Sequence, residues 1–394
     1  MSGAPPRPGT SSTWAARVAA RNESLAAQGR WRVPLTFDAR GPEGVLTADD
    51  SKVVAFASND YLGLSAHPAV AAAAHDALDL WGTGAGASRL VTGSRPCHEE
   101  LEADLARWKG AERATVFPTG FAANLGVLSA FGADDVRICS DELNHASIID
   151  GARLARAETA VYRHGDVDHL AALLDGATGP TLVVTDVVFS MDGDVAPVTQ
   201  IAELCRRHGS LLVLDEAHAV LEPDLGPELV EVDVLRVGTL SKTLGALGGF
   251  VAGARPFIEL LENSARSYIF TTALTPPDAA AALAALRILS TPEGAALRDR
   301  LARHVARVAP GHPSPIIPIV LGSDDRAVAA AAALRHHGVW VPAIRPPTVP
   351  PGTARLRVTL SAAHTDDHVS LLLDALAHIG PVIASDADRA PSRP

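Results

Sequence analysis

Lys242, within Gly238-Thr239-Leu240-Ser241-Lys242-Thr243-Leu244-Gly245, is the residue whose chemistry the rest of the chain has to explain. Of 34 basic residues only Lys52, Lys109 and Lys242 are lysines, so arginine serves wherever a plain positive charge suffices. Arginine keeps its proton at any working pH, whereas desolvation or a neighbouring cation drives a lysine towards the neutral amine. A neutral amine is a nucleophile able to form a Schiff base. A lysine in a loop of small, hydroxylated residues is also an ordinary surface cation, and only its surroundings separate the two readings.

Four other stretches stand where predicted strands end. Pro118-Thr119-Gly120-Phe121-Ala122-Ala123-Asn124 reads as a strand end, a glycine turn and a helix start, whose backbone amides bind phosphate. Asp141 to Ser147 sets His145 just before a helix, as an N-cap or as a ring over a ligand. Phe189-Ser190-Met191-Asp192-Gly193-Asp194 brings a hydroxyl within reach of a bound ring, around an Asp-Gly turn that is equally compatible with a structural role. Leu211 to Leu214 is an apolar strand running straight into Asp215, Glu216 and His218. A carboxylate there is costly unless a cation faces it, either a metal or a protonated ring nitrogen. A metal asks for more ligands at chelating spacing than His218 alone, so no metal is expected. His364 and His368, at i and i+4, are expected to be solvated beside Asp366 and Asp367. An amine, an acid for a ring-nitrogen cation, a phosphate-binding helix start and a stacking imidazole are together what pyridoxal 5'-phosphate requires.

The elements that must position these groups form a regular pattern. Strands are predicted over Thr115 to Phe117, Val136 to Cys139, Thr159 to Tyr162, Thr181 to Thr185, Leu211 to Leu214, Val234 to Val237 and Phe250 to Ala252. Helices alternate with them over Ala122 to Ala130, Ala146 to Ala157, Val167 to Leu174 and Val198 to His208. Such alternation gives an α/β fold, a mostly parallel sheet of seven strands flanked by helices, with its ligand at the carboxyl ends of the strands. Residues 1–62 read as an N-terminal arm, with a helix over Trp14 to Gln28 and a short hairpin. Residues 63–275 form the large domain, and 276–394 a smaller α+β domain with a disordered tail from Ser385.

Composition narrows the partners. The chain of 394 residues carries a net charge of -11, which argues against nucleic acid and anionic membranes. Cys97, Cys139 and Cys205 show no C-x-x-C spacing, so neither a zinc site nor a disulfide framework is expected. The start lacks the apolar run of a signal peptide and no segment is long enough to span a membrane, so a cytoplasmic protein is expected.

The stretches SNDYLGLS (Ser58 to Ser65), GFAAN (Gly120 to Asn124), FSMDGD (Phe189 to Asp194), DEAH (Asp215 to His218), GTLSK (Gly238 to Lys242) and IRPPTVPPGTARLRVTLSAAH (Ile344 to His364) resemble the α-oxoamine synthases. These are fold-type I pyridoxal-phosphate enzymes that condense an amino acid with an acyl thioester and release carbon dioxide. The resemblance spans roughly residues 14 to 380. It makes Lys242 the Schiff-base lysine, Asp215 the partner of the pyridinium nitrogen and His145 the ring stacked on the cofactor, with Ser190 and His218 near its phenolic oxygen. Gly120, Phe121 and Thr239 would hold the phosphate. Thr271 and Thr272 would reach a neighbour's phosphate across a homodimer interface. Asn59 and Arg357 would take the amino-acid carboxylate, and Arg30, Arg345 and Thr348 the acyl substrate. The segment after Ile344 favours L-alanine with a pimeloyl thioester, on coenzyme A or an acyl-carrier protein, over glycine with acetyl or succinyl thioesters. A non-catalytic pyridoxal-phosphate sensor is the reading from another class. One departure stands out: after His218 the family's glycine-rich loop is replaced by Ala219-Val220-Leu221-Glu222-Pro223-Asp224-Leu225-Gly226.

Overall fold

The computed structural model describes residues 13–221 and 225–380. The expectations for the first twelve residues and the C-terminal tail, and part of the altered loop after His218, lie outside these. Helix α1 (Trp14–Ala27) starts at its Thr13 cap and has no buried residue. Strands β2 (Glu43–Leu46) and β3 (Ser51–Ala55) make the predicted hairpin, and β1 (Phe37–Ala39) extends it to three antiparallel strands. Helices α2 (Pro68–Trp81) and α3 (Pro96–Trp108) each open on a proline, whose missing N–H costs nothing in a first turn.

The large sheet follows in the alternating order the sequence predicts. It contains β4 (Arg113–Phe117), α4 (Gly120–Phe131), β5 (Arg137–Asp141), α5 (Ala146–Leu154), β6 (Glu158–Tyr162), α6 (Val167–Asp175), β7 (Thr181–Asp186), α7 (Val198–His208), β8 (Leu211–Asp215), β9 (Val234–Thr239) and β10 (Gly249–Gly253). All seven predicted strands are present, in the order β4-β10-β9-β8-β7-β5-β6, with only β10 antiparallel to its neighbours. Leu212, Val213 and Leu214 are fully buried in the centre. Each such side chain contributes about 1.5–3 kcal/mol by leaving water, which anchors the strand whose last residue is Asp215. Register aligns Asp186 with Asp215 and Asp215 with Val237, so the carboxyl ends of the central strands form one rim.

The remaining chain adds α8 (Arg255–Ser264), α9 (Arg266–Ile269), α10 (Pro276–Leu289), α11 (Pro292–Val308), β11 (Ile316–Gly322), α12 (Asp324–His336), β12 (Val339–Trp340), β13 (Ala343–Ile344), β14 (Ala354–Thr359) and α13 (Asp366–His378). Strand β12 pairs in parallel with β3, so the N-terminal hairpin and the C-terminal third share a four-stranded sheet. Strands β11, β14 and β13 make a separate antiparallel sheet.

One expectation fails here. His364 and His368 are buried rather than solvated, because the turn before α13 folds inwards. The His364 ring stacks on Phe56 with centroids 4.2 Å apart, and its Nε2 lies 3.1 Å from the Ala55 carbonyl. Burial pushes its pKa down to about 4, so it is held neutral. The His368 Nε2 reaches Glu43, tying α13 to β2.

Candidate active site

The rim of the large sheet holds a cavity of about 240 Å³ lined by Gly120, Phe121, Asn124, His145, Asp186, Ser190, Asp215, His218, Thr239 and Lys242, among others. A cavity of about 630 Å³ between the hairpin and the Ser58 to Ala66 segment is larger, so size alone does not select the site. Convergence of reactive groups does. Of the three lysines, Lys242 is the one in this cavity; Lys52 is exposed and Lys109 is paired with Glu216 elsewhere.

Asp215 ends β8 and accepts two hydrogen bonds, from Asn124 Nδ2 at 2.6 Å and from the Ala217 amide at 2.9 Å. Its sequence neighbour Glu216 faces the opposite way. Burial works against the Glu216 charge, but Lys109 and Arg236, each 2.5 Å away, hold its pKa below the usual range. Two adjacent acids therefore do different work, one structural and one facing the cavity.

Lys242 follows β9, and its Nζ lies 3.0 Å from His218 Nε2. Desolvation lowers its pKa, against the opposing pull of Asp215 and Asp186. His218 is pushed well below its ordinary value by burial, then by the charges of Lys242 and Arg357, so its imidazole is neutral. His145 caps α5 and is likewise lowered by burial. Its Nδ1 lies 2.7 Å from Ser147 Oγ, and its own amide donates to Asp186 Oδ2 at 2.9 Å.

At the opposite wall, Thr119 caps α4, leaving the first-turn amides of Gly120 and Phe121 without intrahelical acceptors. A Cβ on Gly120 would meet the Thr239 Cβ at 3.3 Å, so the helix start and the Thr239 hydroxyl form one close cradle. Arg357 spans the other side. Its Nε donates to the Ser190 carbonyl at 2.6 Å, Nη1 to Thr359 Oγ1 at 2.8 Å and Nη2 to Asn59 Oδ1 at 3.2 Å. Burial depresses even this guanidinium.

Ten of the residues expected from sequence thus meet around one space: Gly120, Phe121, His145, Ser190, Asp215, His218, Thr239 and Lys242 in the lining, and Asn59 with Arg357 beside Ser190. Thr271, Thr272, Arg30, Arg345 and Thr348 stand outside that lining. Arg345 donates to the Gly29 carbonyl at 2.9 Å, and Arg32 approaches Thr348 Oγ1 at 3.5 Å, so the N-terminal arm rests on this loop.

Several functional residues escape the sequence reading. Asp186 ends β7 as Asp215 ends β8, and burial followed by the Asp215 charge raises its pKa well above the ordinary carboxylate value. The argument applied to Asp215 reaches it only once the end of the strand is known, because Val187, Val188 and Phe189 continue the apolar run. Asn124 is a polar residue inside an apolar helix; its Nδ2 bridges Asp215 and Ser147, while its Oδ1 is buried without a partner. Tyr61 is fully buried with its hydroxyl 2.5 Å from His218 Nδ1. Further out, His164 is clasped between Asp141 at 3.0 Å and Asp194 at 2.7 Å, which raises its pKa to about 10. That clasp holds the Phe189 to Asp194 turn carrying Ser190, whose Gly193 packs so closely on β11 that a Cβ would lie 2.0 Å from the Ile316 carbonyl.

This donor set fits pyridoxal phosphate. Asp215 offers a carboxylate acceptor for a ring-nitrogen proton, the α4 start with Thr239 offers donors for a phosphate, and Lys242 offers an amine whose pKa desolvation lowers. Among the described residues no cluster of histidine, cysteine and carboxylate suited to a metal ion occurs.

Residues 51–376 match the family model described as aminotransferase class I and II. The chain is 51% identical to the 8-amino-7-oxononanoate synthase of Anaeromyxobacter dehalogenans, over 92% of this chain and 95% of that one. Among solved structures it superposes on serine palmitoyltransferase from S. paucimobilis, which carries a bound pyridoxal-phosphate adduct of myriocin, with a TM-score of 0.86 and 29% identity, covering 94% of this chain and 98% of that one. It also superposes on the 8-amino-7-oxononanoate synthase of Francisella tularensis, with a TM-score of 0.70 and 27% identity over 83% and 97% of the two chains.

Proposed function

The chain belongs to the class I and II aminotransferase family, and from that premise we propose that it condenses L-alanine with a pimeloyl thioester, giving 8-amino-7-oxononanoate, carbon dioxide and free thiol in biotin synthesis. The observation that carries this reading is the meeting of Lys242, Asp215 and the α4 start around one small cavity, in a chain half identical to 8-amino-7-oxononanoate synthases.

Bound pyridoxal phosphate supplies an aldehyde for the amine and an electron sink for the negative charge that develops at the substrate Cα. The protein's own groups do the rest. The α4 amides and Thr239 bind the phosphate, and Asp215, fixed by Asn124 and the Ala217 amide, keeps a proton on the ring nitrogen. Arg357 and Asn59 hold the alanine carboxylate, which orients the Cα–H bond towards Lys242. Desolvation favours the neutral amine of Lys242, which takes that proton. His145, also neutral, offers a hydrogen bond to the oxygen that becomes negative when the thioester carbonyl is attacked. Arg345, Thr348 and Arg30 receive the acyl substrate where the N-terminal arm meets the Arg345 loop.

The active form in this reading is a homodimer. Phe270 is 70% exposed immediately before Thr271 and Thr272, and Leu90 and Val91 are exposed in their own turn, as expected of surfaces that a second copy covers. The site is cytoplasmic in this reading. All three cysteines are buried free thiols, and no helix among the described residues is long and apolar enough to cross a membrane.

A thiol-release assay crossing alanine and glycine with pimeloyl, acetyl and succinyl thioesters tests the reaction. Turnover with alanine and the pimeloyl thioester is expected. Turnover only with glycine, or cofactor binding without turnover on any pair, overturns it.

A further inference from the structure

Tyr61 is fully buried, and its hydroxyl touches two groups of the site. His218 Nδ1 lies at 2.5 Å and Asn59 Oδ1 at 3.3 Å. We propose that Tyr61 is a positioning residue for the reaction: its hydroxyl donates to His218 Nδ1 and thereby fixes the His218 tautomer that carries hydrogen on Nε2, facing Lys242. The inference rests on the reading of this cavity as a pyridoxal-phosphate site.

The assignment follows from counting donors and acceptors. Tyr61 has one proton to give, and burial raises its pKa far enough that it keeps it. A neutral imidazole has one donor and one acceptor nitrogen. If Nδ1 carried the hydrogen, the phenolic oxygen would accept it, and the Tyr61 proton would have to go to Asn59 Oδ1. That oxygen is 3.3 Å away, beyond the usual range for O–H···O, and already accepts from Arg357 Nη2. With Nδ1 as acceptor every group is satisfied at short range. The Nε2 hydrogen then points at Lys242 Nζ, 3.0 Å away, which must be neutral to accept it.

The charges around the relay agree with this. Facing His218 are Lys242, Arg357 and His145, all of which disfavour an imidazolium. Facing Lys242 are Asp215 and Asp186, which favour its ammonium, and Arg357, which opposes it. A donor at His218 Nε2 adds to the side of the neutral amine. Tyr61 thus keeps Lys242 nucleophilic without touching it.

The test is a pH titration of the cofactor absorbance in Tyr61→Phe holoenzyme. Losing a hydrogen bond that stabilises the unprotonated nitrogen moves the midpoint upwards by about one pH unit, and kcat falls about tenfold while KM for alanine changes less than about threefold. In a His218→Gln background, which has no tautomer to choose, the same substitution leaves the midpoint in place. A parent-like midpoint in Tyr61→Phe, or an equal displacement in both backgrounds, overturns the proposal. Nitrogen-15 NMR of His218 in the unsubstituted holoenzyme needs no variant. Hydrogen on Nε2 is expected, and hydrogen on Nδ1 overturns the proposal even if Tyr61→Phe does not fold. A parent protein that fails to take up pyridoxal phosphate at all instead overturns the reading of the site.

Discussion

Replacing Asp215 with Asn keeps the shape of the β8 terminus but removes its charge. Both oxygens of Asp215 accept from fixed donors, Asn124 Nδ2 at 2.6 Å and the Ala217 amide at 2.9 Å. An asparagine must turn its own NH₂ against one of them, which costs about 1.5–3 kcal/mol for the lost hydrogen bond to a charged acceptor. It also leaves a proton on the cofactor's ring nitrogen without a counter-charge. Removing one such electrostatic contact typically slows the chemical step by about 10²–10³-fold. The assay is exchange of the alanine Cα proton with solvent deuterium, followed by NMR without any thioester, so that proton removal alone is read. Cofactor saturation is checked by absorbance. Asp215→Asn is expected to bind the cofactor and exchange at least about a hundredfold more slowly. A saturated variant exchanging at the parent rate refutes the role given to Asp215 here.

Asp186→Asn has the opposite sign for stability. Burial and the neighbouring Asp215 raise the Asp186 pKa well above its unfolded value, so its favourable contribution is complete below about pH 4 and is lost as pH rises towards the folded value. The apo Asp186→Asn protein is therefore expected to gain thermal stability relative to the parent progressively above pH 4; a gain that shrinks with rising pH contradicts this. His164 has a pKa raised to about 10 by Asp141 and then Asp194, so its clasp stabilises fully below about pH 6.5 and fades as pH approaches 10. His164→Gln should lose stability at pH 7 and flatten the fall in melting temperature between pH 8 and 10. It should also raise KM for alanine, since the clasped turn carries the Ser190 carbonyl that holds Arg357.

The large sheet is legible in sequence because its central strands are buried on both faces, and short, strongly apolar runs such as Leu211 to Leu214 have few other uses. Strands β1 and β13, of three and two residues, are too short to leave a period. Helix α8 is not among the helices predicted from sequence, although its buried residues Ile258 and Leu261 stand at helical spacing. Asp186 is hidden because Val187, Val188 and Phe189 continue the apolar run past it, so no break marks where pairing with β8 ends. Lys242, Asp215 and His145 are visible because each carries a chemical demand that its own neighbours do not meet. Tyr61 and His164 are not, since their partners lie 157 and 30 positions away and only the fold brings them together. His364 shows the converse, a histidine beside two aspartates that local sequence places in water and a turn places in the core.

The central claim is that Lys242 is the amine that carries the cofactor. With only three lysines in the chain, borohydride reduction of the holoenzyme followed by peptide mass spectrometry tests it directly. The reduced pyridoxyl adduct is expected on the peptide containing Lys242, with Lys52 and Lys109 unmodified. An adduct on Lys52 or Lys109, or none on any lysine of a protein that has taken up the cofactor, contradicts the account.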